Sequence, residues 1–289
     1  MMNRLVSICI PTWNGEKYIG ETLISLINQD YENIEIIVLD NQSTDKTGEI
    51  CLKLQSKYKR LKYILDTELS GDPEGHHRVS KFANGEYIIV ACDDDIYAKN
   101  FVRKLVGNFI EDERINLVYC NLGYIDESGK KFDAKLKKKF LYSEKNSQFR
   151  NFIHYMFNRN PIPISFGVMR KKQHEKSLKY FKRIERNQGD HDNLFVLSIL
   201  SQSKVFSVNN ILFWYRIKSR SNQLKSSQEN QALNYLRYVI HQFKVSLRIA
   251  MIIEESNFGR IQKCFLHLIN PFSMLKYIII DKLVVKLIN

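Results

Sequence analysis

The sequence predicts an α/β protein with a mostly parallel central sheet flanked by helices and a helical C-terminal extension. Three observations carry this. Short β-branched runs alternate with segments of helical period through the first half of the chain, which is the pattern of repeated βα units. Those runs end in turn or acidic residues, as strands do when their carboxyl ends share one rim. From about Gln223 the chain is rich in helix formers and almost free of glycine.

The elements follow in order. Residues 6–10 (VSICI) form a first buried strand and run into Pro11-Thr12-Trp13-Asn14. Ile19, Leu23, Leu26 and Ile27 mark one face of a helix over 18–27. Residues 34–39 (IEIIVL) are a second strand ending at Asp40, and Ser43-Thr44-Asp45 offers N-cap chemistry for a helix bearing Ile50, Leu54 and Tyr58. Residues 62–65 are a third strand. The loop SGDPEG (70–75) leads to a short helix, and Asn84-Gly85 opens a strand that ends in Asp93-Asp94-Asp95. Beyond it, 117–125 reads as a strand, 149–157 as a helix, and Pro161 with Pro163 confine IPISFGVM to an extended or edge segment. A helix over 194–200 precedes what reads as a hairpin, 204–208 and 211–217 about Asn209-Asn210. Pro271 is the one breaker expected in the tail.

Length and composition bound the rest. A chain of 289 residues with 44% hydrophobic and 12% aromatic content can bury a large core. Residues 5–10 are too short for the apolar region of a signal peptide, and no apolar stretch approaches the eighteen or so residues that span a bilayer. The five cysteines are scattered and lack metal-ligand spacing, so they read as reduced core residues and the expected location is cytoplasmic.

The net charge of +13 is uneven. Residues 1–129 carry 14 basic against 21 acidic side chains, whereas 130–186 carry 17 against 4. An acidic first half suits a bound cation, and a basic second half suits an anionic partner or surface. The LKKKF run (136–140) is equally readable as a solvated loop.

The three aspartates are the strongest chemical signal. Like charges crowded at a strand end need a counter-charge, and a divalent cation is the usual one, although Asp is also a favoured turn residue. If the chain stays extended there, Asp93 and Asp95 share a face and Asp94 points away.

Three blocks resemble glycosyltransferase family 2, the nucleotide-sugar-dependent enzymes of the GT-A fold with its Rossmann-like sheet. They are residues 7–47 (SICIPTWNGEKYIG…STDKT), GEYIIVACDDDIY (85–97), and GDHDNLFVLSIL…WYRIKSRSNQ (189–223), in the family's order and spacing. The resemblance implies a catalytic domain over 1–222, with a nucleotide-sugar half (1–129) and an acceptor half (130–222), followed by an amphipathic tail (223–289). It implies that Pro11, Thr12, Trp13 and Asn14 line the nucleobase pocket and that Asp40 hydrogen-bonds the base. Asp93 and Asp94 meet the donor, Asp95 with Asp93 holds Mn²⁺ or Mg²⁺, and Arg78 lies near the nucleotide. Asp190 matches the catalytic base. By position alone Asp190 reads first as a helix N-cap, which the resemblance reverses, and His191 is the runner-up base. Asn41 and Cys92 stand where the family often has acids.

The implied activity is inverting transfer from a nucleoside-diphosphate sugar, UDP by the family's habit, to a saccharide or lipid-linked hydroxyl in surface polysaccharide or glycolipid synthesis. The basic half and the amphipathic tail fit peripheral contact with an anionic membrane at the inner face of the cell, and the tail is also readable as a helix packing on the catalytic domain or on a second subunit. Trp214-Tyr215-Arg216 could close over the donor phosphates or form an ordinary edge strand, and His76-His77 reads as loop. Two other classes stay open. A nucleic-acid-binding or nuclease protein would use the basic surface, but the acidic half holding the carboxylates argues against nucleic acid. A non-catalytic sugar-nucleotide module would bind donor without turning it over.

Overall fold

The computed structural model of the chain describes residues 4–67, 78–109, 112–132, 147–159, 162–178, 191–218 and 231–288. Its strands are β1 (Val6–Thr12), β2 (Ile34–Asp40), β3 (Leu61–Leu65), β4 (Tyr87–Val90), β5 (Ile96–Tyr97), β6 (Ile115–Ile125), β7 (Lys131–Phe132), β8 (Val168–Arg170) and β9 (Lys204–Arg216). They form one sheet in the order β3-β2-β1-β4-β8-β6-β9-β5, with β7 paired to β6. The β3-β2-β1-β4 block is parallel, β8 runs antiparallel to both its neighbours, and β6 and β9 are parallel again. The helices are α1 (Ile19–Ile27), α2 (Thr47–Gln55), α3 (Phe101–Val106), α4 (Gln148–Phe157), α5 (Ile162–Ser165), α6 (Lys171–Leu178), α7 (His191–Gln202), α8 (Gln231–Glu254) and α9 (Arg260–Ile288).

Alternation along the strands divides the core into two layers. Val6, Ile8 and Ile10 of β1 and Ile34, Ile36 and Val38 of β2 pack with α1 and α3 on one face. Cys9, Ile37 and Leu39 face the other side, with Phe152, Tyr155 and Met156 of α4 and the apolar run of α7. Both faces are covered, so the parallel strands read as near-continuous hydrophobic runs.

Three sequence expectations are corrected. Residues 204–216 are a single strand, because both halves pair with β6; Asn209-Asn210 is accommodated where the register shifts between Cys120↔Val208 and Asn121↔Ile211. The segment after Pro161 and Pro163 is not an edge. It makes the one-turn helix α5 and then β8, which lies inside the sheet. Gly167 allows that approach, since a Cβ there would meet the Val118 carbonyl oxygen at 2.6 Å. Pro271 does not end a helix but stands within α9, on its exposed side, where losing one backbone hydrogen bond costs least.

The tail is not a detached appendage. Val245, Ile249, Ile252 and Ile253 of α8 and Leu266 of α9 share the buried layer of α4 and α7. Among the described residues no helix is long and apolar enough to cross a membrane.

Candidate active site

The carboxyl ends of β1, β2 and β4 bring the sequence-distant residues together on one rim, as the parallel register requires. Two loops there carry non-glycine residues in the left-handed region, Asn14 (φ 52°) and Gln42 (φ 58°). Asn14 is held by the neighbouring loop: its backbone N–H donates to Ser43 Oγ at 2.8 Å, and its Oδ1 accepts from the Thr44 N–H at 2.9 Å. The N-cap of α2 is Lys46, with no side-chain cap bond, and not one of Ser43-Thr44-Asp45; Asp45 just before it accepts from the Thr47 N–H at 2.9 Å. Trp13 projects from the rim at 64% exposure, an aromatic face open to a ligand. Pro11 precedes it in β1, paired with Leu39 of β2.

Asp40 is buried. Its Oδ1 accepts from Ser43 N–H (2.9 Å) and Oγ–H (2.6 Å), and its Oδ2 accepts from the Tyr63 hydroxyl at 2.8 Å. Burial, and then this bond to Asp40, hold the Tyr63 hydroxyl protonated well above its usual range. A carboxylate has about four acceptor positions, so three donors leave room for one more. Arg78 is buried in an ion pair with Asp66, whose backbone N–H donates to the Asp40 carbonyl. It therefore stands beside the Asp40 end of the rim, tied to Asp66.

The aspartate segment departs from the expected geometry. β4 stops at Val90 and the chain bends at Asp93 and Asp94, so strand alternation does not apply. Asp93 turns to β1, where its Oδ2 accepts from Thr12 Oγ–H at 2.5 Å. Gly15 permits this packing, because a Cβ there would lie 2.6 Å from the same oxygen. Asp94 and Asp95 instead gather with Cys92, with one ligand atom from each within 4.8 Å of the others. Burial raises the Asp93 carboxyl above the usual aspartate range. Burial and then the Asp94 charge push Asp95 up to about 8, against the opposing pull of the Arg216 N–H.

Asp95 is wholly buried. Its Oδ1 accepts from the Arg216 backbone N–H at 2.9 Å, while Oδ2 has no partner among the described residues. A buried carboxylate oxygen left so is costly and calls for positive charge. The Asp94 and Asp95 oxygens are the hard donors that Mn²⁺ or Mg²⁺ takes, so the residues present fit such an ion; the thiol of Cys92 is a softer neighbour.

Arg216 does not close over the donor phosphates. Its guanidinium is buried beneath the aspartate segment, with Nε donating to the Asp94 carbonyl (2.7 Å), Nη1 to the Asp126 carbonyl (3.1 Å) and Nη2 to Glu21 Oε2 (2.7 Å). It ties the loop to α1 and to the turn after β6. Lys218 Nζ pairs with Asp94 Oδ2 at 2.7 Å, and Thr22 Oγ donates to the Asp93 carbonyl at 3.0 Å. Sequence reasoning missed Lys218, Glu21 and Thr22. Lys218 carried a signal in standing two residues beyond the Tyr-Arg pair, whereas nothing in the sequence marked the other two. Asp190, the expected base, lies outside the described residues, as do His76-His77 and the LKKKF run. α7 begins at His191, immediately after Asp190.

Residues 7–178 match the model of glycosyl transferase family 2. The chain belongs to that family. It is 28% identical over 239 residues to an uncharacterized glycosyltransferase of Methanocaldococcus jannaschii, covering 82% of this chain and 79% of the relative. It is 26% identical to the glycosyltransferase GlyG of Streptococcus pneumoniae, over 76% of this chain and 73% of that protein. Among solved structures, Staphylococcus aureus TarS in complex with UDP-GlcNAc superposes with a TM-score of 0.63, at 21% identity over 93% of this chain and 73% of that one. A Pyrobaculum calidifontis mannosyltransferase in complex with GDP-Man and Mn²⁺ gives 0.53 at 15% identity, over 94% and 72%. These two likenesses show a shared GT-A fold. With the family match and the named relatives, the glycosyltransferase is an enzyme of glycosyl transfer.

Proposed function

We propose that the enzyme is an inverting, cation-dependent transferase that takes a sugar from a nucleoside-diphosphate donor, UDP first among the bases. The acceptor in this reading is a hydroxyl of a saccharide or lipid-linked glycan, in surface polysaccharide or glycolipid synthesis at the inner face of the cell membrane. The observation that carries it is the buried Asp95, whose Oδ2 has no partner among the described residues, beside the half-buried Asp94 on the same rim as Trp13 and Asp40. The solved TarS and mannosyltransferase complexes with UDP-GlcNAc and with GDP-Man and Mn²⁺ support a nucleotide-sugar donor on this fold.

In this reading Trp13 stacks on the base and the remaining acceptor position of Asp40 takes an N–H from it. Pro11, Thr12 and Asn14 shape the pocket wall, and Arg78 fixes Asp66 beneath it. Asp93, locked by Thr12, faces the ribose. Asp94 and Asp95 hold the divalent ion, with Asp93 beside them. When bound, that ion neutralises charge on the departing diphosphate. Asp190 takes the proton of the acceptor hydroxyl as its oxygen bonds to the anomeric carbon and the bond to phosphate breaks on the opposite side. A positioned carboxylate base of this kind contributes roughly 10²–10⁴-fold. The excess of basic residues over 130–186 supplies the charge that an anionic acceptor needs.

A thermal-shift panel of UDP, GDP, CDP and ADP with and without Mn²⁺ tests the donor reading. One base should stabilise the protein in a manner abolished by EDTA. Equal, EDTA-insensitive shifts with all four would sink it.

A further inference from the structure

The last two helices form an antiparallel hairpin, registered by Asn270 Nδ2 on the Ser246 carbonyl (2.8 Å) and by Lys263 Nζ on the Glu254 carbonyl (2.5 Å). Each buries one face in the core and turns an apolar face outward. On α9 the outward residues are Ile261, Phe265, Leu268, Phe272, Leu275 and Ile279, with Ile261 87% and Leu268 70% exposed. Their spacing of four and three residues keeps them on one stripe over five turns. On α8, Ile240, Phe243, Leu247 and Met251 make a second stripe of the same kind. So extended an apolar face is far more than an isolated surface hydrophobe requires, and it marks an interaction surface.

The charge around the stripes chooses the occupant. Exposed Arg237 and Lys244 lie beside the α8 stripe, and residues 231–288 carry eight Lys and Arg against three Asp and Glu. A symmetric contact between two copies would cover the apolar stripes but set these net positive surfaces against each other. An anionic bilayer satisfies both features at once. The apolar face enters the boundary between headgroups and acyl chains, and the basic side chains meet the headgroups. Neither helix is long and apolar enough to cross a membrane, so contact with a bilayer would run along the helix faces.

We infer that the outward face of the α8–α9 hairpin docks the enzyme on an anionic lipid surface, with Phe243, Phe265 and Phe272 as its buried aromatic anchors. The contact gives the membrane side of the proposed function its address on the molecule, and it rests on that reading only for its purpose, since lipid binding is measured without sugar transfer. The test is co-sedimentation of the full chain with vesicles of phosphatidylethanolamine and phosphatidylglycerol, and with vesicles of phosphatidylcholine alone. Binding should favour the anionic vesicles by tenfold or more and fall with added salt. The triple change Phe265→Ser, Leu268→Ser, Phe272→Ser should lower it at least tenfold, with the Mn²⁺-dependent thermal shift by UDP unchanged. The double change Arg237→Glu, Lys244→Glu should remove most of the anionic preference and serves if the triple variant folds poorly. Equal binding to both vesicle types, undiminished binding by the variants, or a dimer in light scattering that the triple variant dissolves while the wild type ignores vesicles would each overturn the inference.

Discussion

The rim over β1, β2 and β4 and the outward face of the C-terminal hairpin are opposites in construction. On the rim, polar groups are buried and matched one by one: Thr12 to Asp93, Ser43 and Tyr63 to Asp40, Arg216 to Asp94 and Asp95. On the hairpin, apolar side chains stand exposed to solvent, with Phe265 also meeting the Phe149 ring of α4. The first region fixes a few atoms to within a hydrogen bond's tolerance, and Asp95 Oδ2, without a partner among the described residues, is where we place the cation. The second offers area and charge without directional contacts, which suits a fluid surface better than a small molecule. Misfit between a side chain and its environment marks function in both, but the kind of misfit tells the kind of partner.

That contrast can be broken most decisively at Asp95. Asp95→Asn should abolish cation-dependent transfer and the Mn²⁺-induced thermal shift while leaving the melting temperature without metal unchanged or raised, because a neutral amide replaces a carboxyl that burial already pushes up to about 8. Retained Mn²⁺ response in calorimetry would refute the ligand assignment. Asp190→Asn should lower turnover by about 10²–10⁴-fold with donor affinity intact, read by steady-state transfer and by UDP titration. A parallel loss of binding would make Asp190 a helix cap and not a base.

Within α9, two leucines sharpen the contrast between inside and outside. Leu266→Ala should cost about 2–5 kcal/mol in a urea melt, as a buried leucine does, whereas Leu268→Ala should stay within about 0.5 kcal/mol. Equal costs would mean that the hairpin packs differently from the geometry described. A more local effect falls on Arg216→Lys, which keeps the charge but loses the planar fork that spans three partners. Weaker Mn²⁺ binding by about tenfold is expected from isothermal titration, with KM for the donor rising more than kcat falls. An unchanged metal affinity would reduce Arg216 to a packing residue.

The order of the early elements was legible because helix and strand periods are local properties. β1, α1, β2, α2, β3 and β4 all follow hydrophobic spacing that neighbouring residues specify. The later failures share one cause. Asn209-Asn210 carries turn chemistry, yet whether a chain turns or bulges depends on which strand each flank pairs with, and here both pair with β6. Pro161 and Pro163 signalled an edge, but Gly167 opposite the Val118 carbonyl brought the next strand inside.

By itself the sequence determined the alternating architecture, the family, and the rim as the place where Thr12, Asp40 and the three aspartates converge, since parallel strands carry their carboxyl ends to one side. Only the tertiary structure decided how the aspartates divide. The bend after Val90 sends Asp93 to Thr12 and Asp94 and Asp95 towards Cys92, and the buried guanidinium of Arg216, more than a hundred residues away, holds that bend in place. The same holds for the two faces of α9. The stripe Ile261, Phe265, Leu268 and Phe272 faces outward while Leu266, Asn270 and Ser273 are buried, and which side meets the core is set by packing against α4 and α8. Periodicity names the faces of an element, but only packing chooses between them.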